Sequence, residues 1–307
     1  MKVSQIKIDK TLTVNELISL MSKVGVMGSG RLAKSIDILE LMIKDKNCKV
    51  FFGLAGAMVP GGMRNIISDF LRNSWIDVFV TTGATLTHDL AESLGYKHEI
   101  GNENANDSEL YKKGLDRMYD SYMPNRVYES MEDFFEKHWK DFSHCKKINE
   151  LLFKIGSKLI DKNSILSIAY EKNIPIFCPA LADSGIGLMI WGRKAKNKEI
   201  KIDAFEDMKD ILDIAWTSKK SGVFYIGGGT PKNFIQQSMQ FSPRKALYGV
   251  QITTDRPEFG GSSGASLKEG ISWGKMNPKA KFIDVPLDAT VALPIIYASL
   301  RERLINK

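Results

Sequence analysis

Six short apolar runs punctuate the chain: Val50 to Leu54, Ile76 to Thr82, Ile174 to Cys178, Gly222 to Ile226, Leu247 to Thr253 and Phe282 to Val285. They are nearly continuous in Val, Ile and Phe rather than alternating with polar residues, the pattern of strands covered on both faces. Amphipathic stretches at helical spacing separate them, so the pattern predicts an α/β fold: a doubly wound, mostly parallel sheet with helices on both faces. Residues 1–45 read as extra N-terminal helices. Thr13 and Glu16 form a capping box, and Leu32, Ile36, Leu39 and Ile43 share a face after a break at Gly28-Ser29-Gly30. From about Gly95 to His144 the chain is rich in Asn, Asp, Glu, Tyr and Lys, and periodicity returns only at Met131. This stretch, 95–145, reads as an irregular insertion with one helix. Without a repeat, a low-complexity tract or a linker, residues 1–307 read as a single domain.

Composition narrows the class. At 307 residues and 43% hydrophobic content the chain can bury a sizeable core without disulfides or metal. Cys48, Cys145 and Cys178 are an odd, scattered set with no C-x-x-C spacing, which points to a reducing, cytoplasmic setting. His144 beside Cys145 has no further ligand at usable spacing, so no metal is expected. The opening MKVSQIKIDKTLTV lacks a signal peptide's apolar core, and no stretch is apolar enough for a membrane span. The net charge of +7 comes from lysines dispersed among 36 acidic residues, which argues against nucleic acid and suits encounter with an acidic protein.

In an open parallel sheet, ligands sit beyond the carboxyl ends of the strands. Here those positions are filled by small residues: Ala55-Gly56-Ala57 and Pro60-Gly61-Gly62, then Thr81 to Thr85, Pro179 to Gly185, Gly227 to Thr230, and Thr253-Thr254 with Gly260 to Gly264. Any one of these is ordinarily a tight turn. Together they would let backbone N–H groups approach a nucleotide or phosphate ligand, although the G-x-G-x-x-G fingerprint is absent and spacing alone names no cofactor. One lysine also stands out. Lys275 follows Trp273 and Gly274 and lies six residues after Glu269. Lysine becomes a nucleophile at neutral pH only where burial or a neighbouring cation disfavours its ammonium form. Trp273 offers a wall and Glu269 a partner for an amine, while the ordinary alternative is a solvated surface lysine.

The motifs FGLAGAMVPGGMRN, VTTG, IPIFCPALADSGIG, YIGGGTPKNF and SWGK, in that order between Lys49 and Ala298, resemble the strand-end motifs of the deoxyhypusine synthase family. The resemblance implies a Rossmann-like NAD-binding fold and a homotetramer with NAD and spermidine at subunit interfaces. It also implies transfer of the 4-aminobutyl group of spermidine to a lysine of the hypusine-containing translation initiation factor, through an imine on the catalytic lysine. Carried over residue by residue, Lys275 matches that lysine, and Glu269 and Trp273 match positions lining the amine site. Thr82, Gly83, Asp183, Gly228, Thr254, Asp288 and Ala289 match NAD-contacting positions. Asp183 and Asp288 suit ribose hydroxyls, with helix N-capping the plain alternative for Asp288.

The departures concern the amine. Ala84-Thr85-Leu86-Thr87-His88 replaces the family's Gly-Gly-Val-Glu-Glu, Asn233 stands where a histidine follows Pro-Lys, Leu188 replaces an aspartate, and the Gly260 to Gly264 loop lacks the family's acids. His88 is the candidate replacement base, and His88 and Asn233 are expected to touch substrate. The altered pocket keeps two alternatives open: transfer of the same group to putrescine, as in homospermidine synthesis, or an NAD-binding protein without activity.

Overall fold

The computed structural model describes residues 2–305. Along the chain come α1 (Val14–Val24), α2 (Met27–Lys44), β1 (Cys48–Leu54), α3 (Arg64–Arg72), β2 (Val78–Thr81), α4 (Gly83–Ser93), β3 (Glu99–Ile100), α5 (Asp107–Lys112), β4 (Leu115–Met118), β5 (Ser121–Pro124), α6 (Val127–Phe142), α7 (Ile148–Gly156), α8 (Ile165–Glu171), β6 (Ile176–Phe177), α9 (Gly185–Ala195), α10 (Ala204–Thr217), β7 (Lys220–Ile226), α11 (Gly229–Phe241), β8 (Ala246–Ile252), β9 (Met276–Val285) and α12 (Ala289–Leu304). All six apolar runs become strands of one sheet, ordered β6-β2-β1-β7-β8-β9. The pairs β1–β7, β7–β8 and β8–β9 are parallel. The strand order grows outward on one side of β1 and then resumes from β7 on the other, so β1 and β7 flank the topological switch of a doubly wound sheet.

The chain divides into two compact units, one of residues 1–54, 75–80 and 208–307, the other of residues 55–74 and 81–207. In the first, Phe52 of β1 stacks between Phe79 at 5.3 Å and Phe224 at 4.8 Å, so three neighbouring strands share one aromatic layer. Fully burying each ring contributes roughly 2 kcal/mol or more. Leu32, Ile36, Leu39 and Met42 form the buried stripe of α2. The break between α1 and α2 falls at Gly25, not at Gly28 to Gly30. Gly25 closes α1 with φ 71°, and Gly28, Ser29 and Gly30 already belong to α2. The glycine at position 30 serves packing, because a Cβ there would stand 2.3 Å from the backbone carbon of Gly25.

In the second unit the stretch 95–145 holds more order than its sequence pattern predicts. It contains α5 and α6 and a three-stranded antiparallel sheet ordered β3-β5-β4. These strands are two to four residues long, with both residues of β3 exposed and β4 and β5 half-buried apart from the buried Met123, and Tyr119 turns the β4–β5 hairpin at φ 57°. Strands this short bury no apolar run, which is why hydropathy does not reveal them. The same unit encloses a charged centre. Arg64 is buried and donates to Asp89 at 2.7 Å, with Asp161 at 2.8 Å and Glu92 at 3.5 Å, while the carboxylate of Asp89 also accepts the Ile165 and Leu166 N–H groups that open α8. Among the described residues no helix is long and apolar enough to cross a membrane.

Candidate active site

In the first unit the carboxyl end of β7 runs into Gly227-Gly228-Gly229, where Gly228 caps α11. Only glycine fits at position 228: a Cβ would lie 2.3 Å from Cα of Ser263. The Gly260 to Gly264 loop thus lies against the start of α11, and side chains hold it there. The Gly229 N–H donates to Ser263 Oγ at 3.1 Å, and Gln251 Nε2 donates to the Ser263 carbonyl at 2.6 Å. Lys232, only 1% exposed, donates from Nζ to the carbonyls of Ser262 at 2.7 Å and Ala265 at 2.5 Å. Burial lowers the Lys232 amine to about 8 against the pull of Asp284 and Glu269, with Lys275 adding repulsion.

Beneath this loop, Tyr225, Gln251 and Asp284 occupy one row across β7, β8 and β9. Tyr225 OH and Gln251 Oε1 are buried without a hydrogen-bond partner among the described residues. Asp284 accepts the Leu267 N–H at 3.0 Å, and burial raises its carboxyl despite that bond and the nearby Lys232 and Arg31. A cleft of about 480 Å³ opens beside the ends of β8 and β9, lined by Arg31, Thr253, Ser266, Lys268 and Asp284 among others. Its size suits a small-molecule ligand, and Arg31 and Lys268 suit an anionic one. Thr254 is exposed just beyond Thr253. Asp288 caps α12, accepting the Thr290 N–H at 2.8 Å, with Ala289 as the helix's first residue. The capping expectation for Asp288 is therefore realised.

Lys275 stands at the opposite end of β9. Its neighbour Met276 opens the strand and pairs with Ala246, the first residue of β8. The Gly274 turn, at φ 64°, and a bond from the Lys275 N–H to the Gly270 carbonyl at 2.8 Å fix the backbone. The half-buried Lys275 places Nζ 5.0 Å from the centre of the Trp273 ring. Desolvation lowers the amine below the ordinary lysine value, with Glu269 pulling the other way. Glu269 is exposed in the short turn Glu269–Ile271. Lys275, Trp273, Glu269 and Lys232 therefore form one electrostatic group, and Asn233 sits half-buried beside Lys232.

In the second unit Thr82 caps α4, accepting the Thr85 N–H at 3.3 Å. A Cβ on Gly83 would lie 2.4 Å from that of Ser184, the cap of α9, so the α4 and α9 N-termini meet through this glycine. The exposed Asp183 immediately precedes Ser184. His88 lies in α4, its Nδ1 3.0 Å from Nε2 of His98, whose Nδ1 lies 2.8 Å from Oε1 of Glu92. Leu188 on α9 is 56% exposed.

Sequence reasoning missed Lys232, Gln251, Asp284, His98 and Glu92. A signal existed for Lys232, since a cation near a helix N-terminus opposes the helix dipole and needs a reason to be there. None existed for the other four, whose roles depend on partners distant in the chain or a helical turn away.

The family model described as deoxyhypusine synthase matches residues 16–300. Similar proteins include the probable deoxyhypusine synthase 1 of Methanosarcina mazei, 44% identical over 97% of this chain and 94% of that one. The probable deoxyhypusine synthase 1 of Archaeoglobus fulgidus is 39% identical over 99% of each. Among solved structures, a candidate deoxyhypusine synthase of Entamoeba histolytica superposes with a TM-score of 0.67 at 20% identity, covering 97% of this chain and 96% of that one.

Proposed function

Because the chain belongs to the deoxyhypusine synthase family, we propose that it is an NAD-dependent aminobutyl transferase in which Lys275 carries the four-carbon group of spermidine to a lysine of the hypusine-containing translation initiation factor. The observation that carries this reading is the setting of Lys275, an amine lowered by desolvation, lying over Trp273 and facing Glu269. A lysine with a depressed ammonium population attacks an imine carbon and keeps it electrophilic for the next amine.

The residues around the cleft fit NAD. Arg31 and Lys268 supply positive charge for a pyrophosphate, and Gly228 lets the Ser263 loop, which carries the Gly264 and Ser266 of the cleft wall, pack against the start of α11. Thr254, Asp288 and Ala289 in the first unit, and Thr82, Gly83 and Asp183 in the second, are the remaining cofactor positions in this reading. When bound, NAD supplies the hydride acceptor and donor that makes the transfer possible. The protein's own part is to hold the donor amine beside Glu269 and Trp273, disfavour the ammonium form of Lys275 by desolvation, and remove protons through His88. Within one chain the Lys275 backbone and the Gly228 loop lie at opposite ends of the β8 and β9 strands. A homotetramer belongs to this reading through the family alone. A cytoplasmic location fits the three free, buried cysteines.

One observation favours a second reading. The exposed Leu188, where the family carries an aspartate, removes a carboxylate from the amine pocket, which weakens recognition of a polycation and admits putrescine as acceptor. Borohydride trapping with NAD and labelled spermidine tests both. Label fixed on Lys275 and passed to the translation factor supports the first reading, and label passed to putrescine supports the second. Absence of a trapped adduct sinks both and leaves a non-catalytic NAD-binding protein.

A further inference from the structure

The loop after α9 encloses a pocket of about 320 Å³ in the second unit, lined by Lys194, Asn197, Lys198, Glu199, Ile200 and Lys201. The backbone fills this lining with hydrogen-bond donors. Asn197 takes the left-handed conformation at φ 57°, as asparagine does where a helix ends, and folds the chain back on the last turn of α9. The Lys196, Asn197 and Lys198 N–H groups donate to the carbonyls of Gly192, Lys194 and Arg193, so these helix-end acceptors are already occupied. Beyond them, the N–H groups of Glu199, Ile200 and Lys201 have no acceptor among the described residues. Charge points the same way. Arg193 and Lys196 are neutralised from α6, with Arg193 3.2 Å from Glu136 and Lys196 2.7 Å from Glu132. Lys194, Lys198 and Lys201 are exposed and have no carboxylate within ion-pair distance among the described residues. Three uncompensated lysines against one lining carboxylate, Glu199, leave an excess of two positive charges. Cations gathered in one concave loop repel one another, and the same field concentrates a counter-ion there.

We propose that this pocket binds the phosphoryl group of a small phosphate, held by the Lys194, Lys198 and Lys201 ammonium groups and the free N–H groups of 199–201. A phosphoryl group carries a charge of about −1.5 to −2 near pH 7 and three strong acceptor oxygens, which match the charge excess and the donor-rich lining. Lysine binds phosphate as a point charge, and successive free backbone N–H groups build anion sites. A single carboxylate would leave half the excess unmet. A nucleic acid tracks a basic surface across several phosphates, whereas the flanking Arg193 and Lys196 are already paired with glutamates. The volume stands at the small end of ligand sites, enough for a phosphoryl group and a few further atoms. The inference stands whether or not the aminobutyl-transfer reading holds.

Phosphorus-31 NMR of inorganic phosphate and of glycerol 3-phosphate, each titrated with the full-length protein at low salt, tests it. Saturable binding is expected, and the tighter of the two ligands tells a free phosphate from a phosphate ester. Combining Lys194→Gln, Lys198→Gln and Lys201→Gln should weaken binding about tenfold or more, and Glu199→Gln, which removes the opposing charge, should tighten it about two- to fivefold. These four side chains are exposed, so the fold should persist, which circular dichroism checks. Lys268→Gln, in the cleft of the first unit, should leave this binding in place. Broadening that never saturates overturns the proposal, as does a triple variant that holds phosphate as tightly as the parent. Binding lost in Lys268→Gln but kept in the triple variant places the anion in the other cleft and overturns it too. Weaker binding in Glu199→Gln contradicts the charge argument and counts against it equally.

Discussion

The carbonyl oxygen of Ala265 accepts a 2.5 Å hydrogen bond from Nζ of Lys232, 33 residues earlier in the chain. That contact and its twin to Ser262 tie the glycine-rich loop to the first turn of α11, bringing Ser263 against Gly228. The candidate nucleotide edge is therefore assembled by a buried amine.

Replacing that amine removes the tie. Lys232→Met leaves the two carbonyls without their donor, at a cost of about 2 kcal/mol, and should loosen the loop on which nucleotide binding depends. Urea denaturation with and without NAD measures both effects. A variant as stable as the parent and with equal NAD affinity removes Lys232 from the architecture of the site.

The same group makes stability depend on pH in a definite direction. Its folded value is about 8 against 10.5 for an ordinary lysine. Below pH 8 both states hold the proton. Between about 8 and 10.5 the unfolded chain binds a proton that the folded one does not, so this group's contribution rises with pH across that window. Urea midpoints taken at pH 8 and 10 should show a smaller increase, or a larger fall, in Lys232→Met than in the parent.

Gly228→Ala introduces a Cβ 2.3 Å from Ser263 Cα, and a backbone atom cannot give way as a flexible side chain can. The loop must move, at roughly 1 to 3 kcal/mol, and NAD affinity should fall at least tenfold, as read by calorimetric titration. Undiminished affinity would separate this close approach from cofactor binding.

Arg64 is a structural prediction. It is buried among Asp89, Glu92 and Asp161. Arg64→Met leaves Asp89 buried without its cation, which costs about 3 to 5 kcal/mol. Thermal melting should show a large loss, and Asp89→Asn with Arg64→Met a smaller one than the sum of the single changes.

Lys275→Ala should abolish the borohydride-trapped adduct and leave NAD binding within about twofold, since the change leaves the two Lys232 bonds that hold the Gly228 loop in place. Aminobutyl transfer that survives in this variant overturns the assignment of the carrier.

Much of this was legible in the chain itself. The six strands announced themselves because a strand buried on both faces must be apolar throughout, and residues such as Phe51, Phe52, Val223 and Phe224 have no polar neighbour to interrupt them. The motif around Lys275 and the small residues after each strand were readable for the same reason: their constraints are local, set by turns and by close backbone approach. The tertiary structure alone decided what required distant groups to meet. It put Lys232 under the Ser262 to Ala265 loop, set Tyr225, Gln251 and Asp284 in one row, and joined His88 to His98 and Glu92. It also built a small sheet from strands of two to four residues with no apolar signature. Hydrophobic pattern records which face of an element is buried. It carries no record of which polar group will be waiting there, because a buried hydrogen bond depends on a partner whose place is fixed only when the chain has folded.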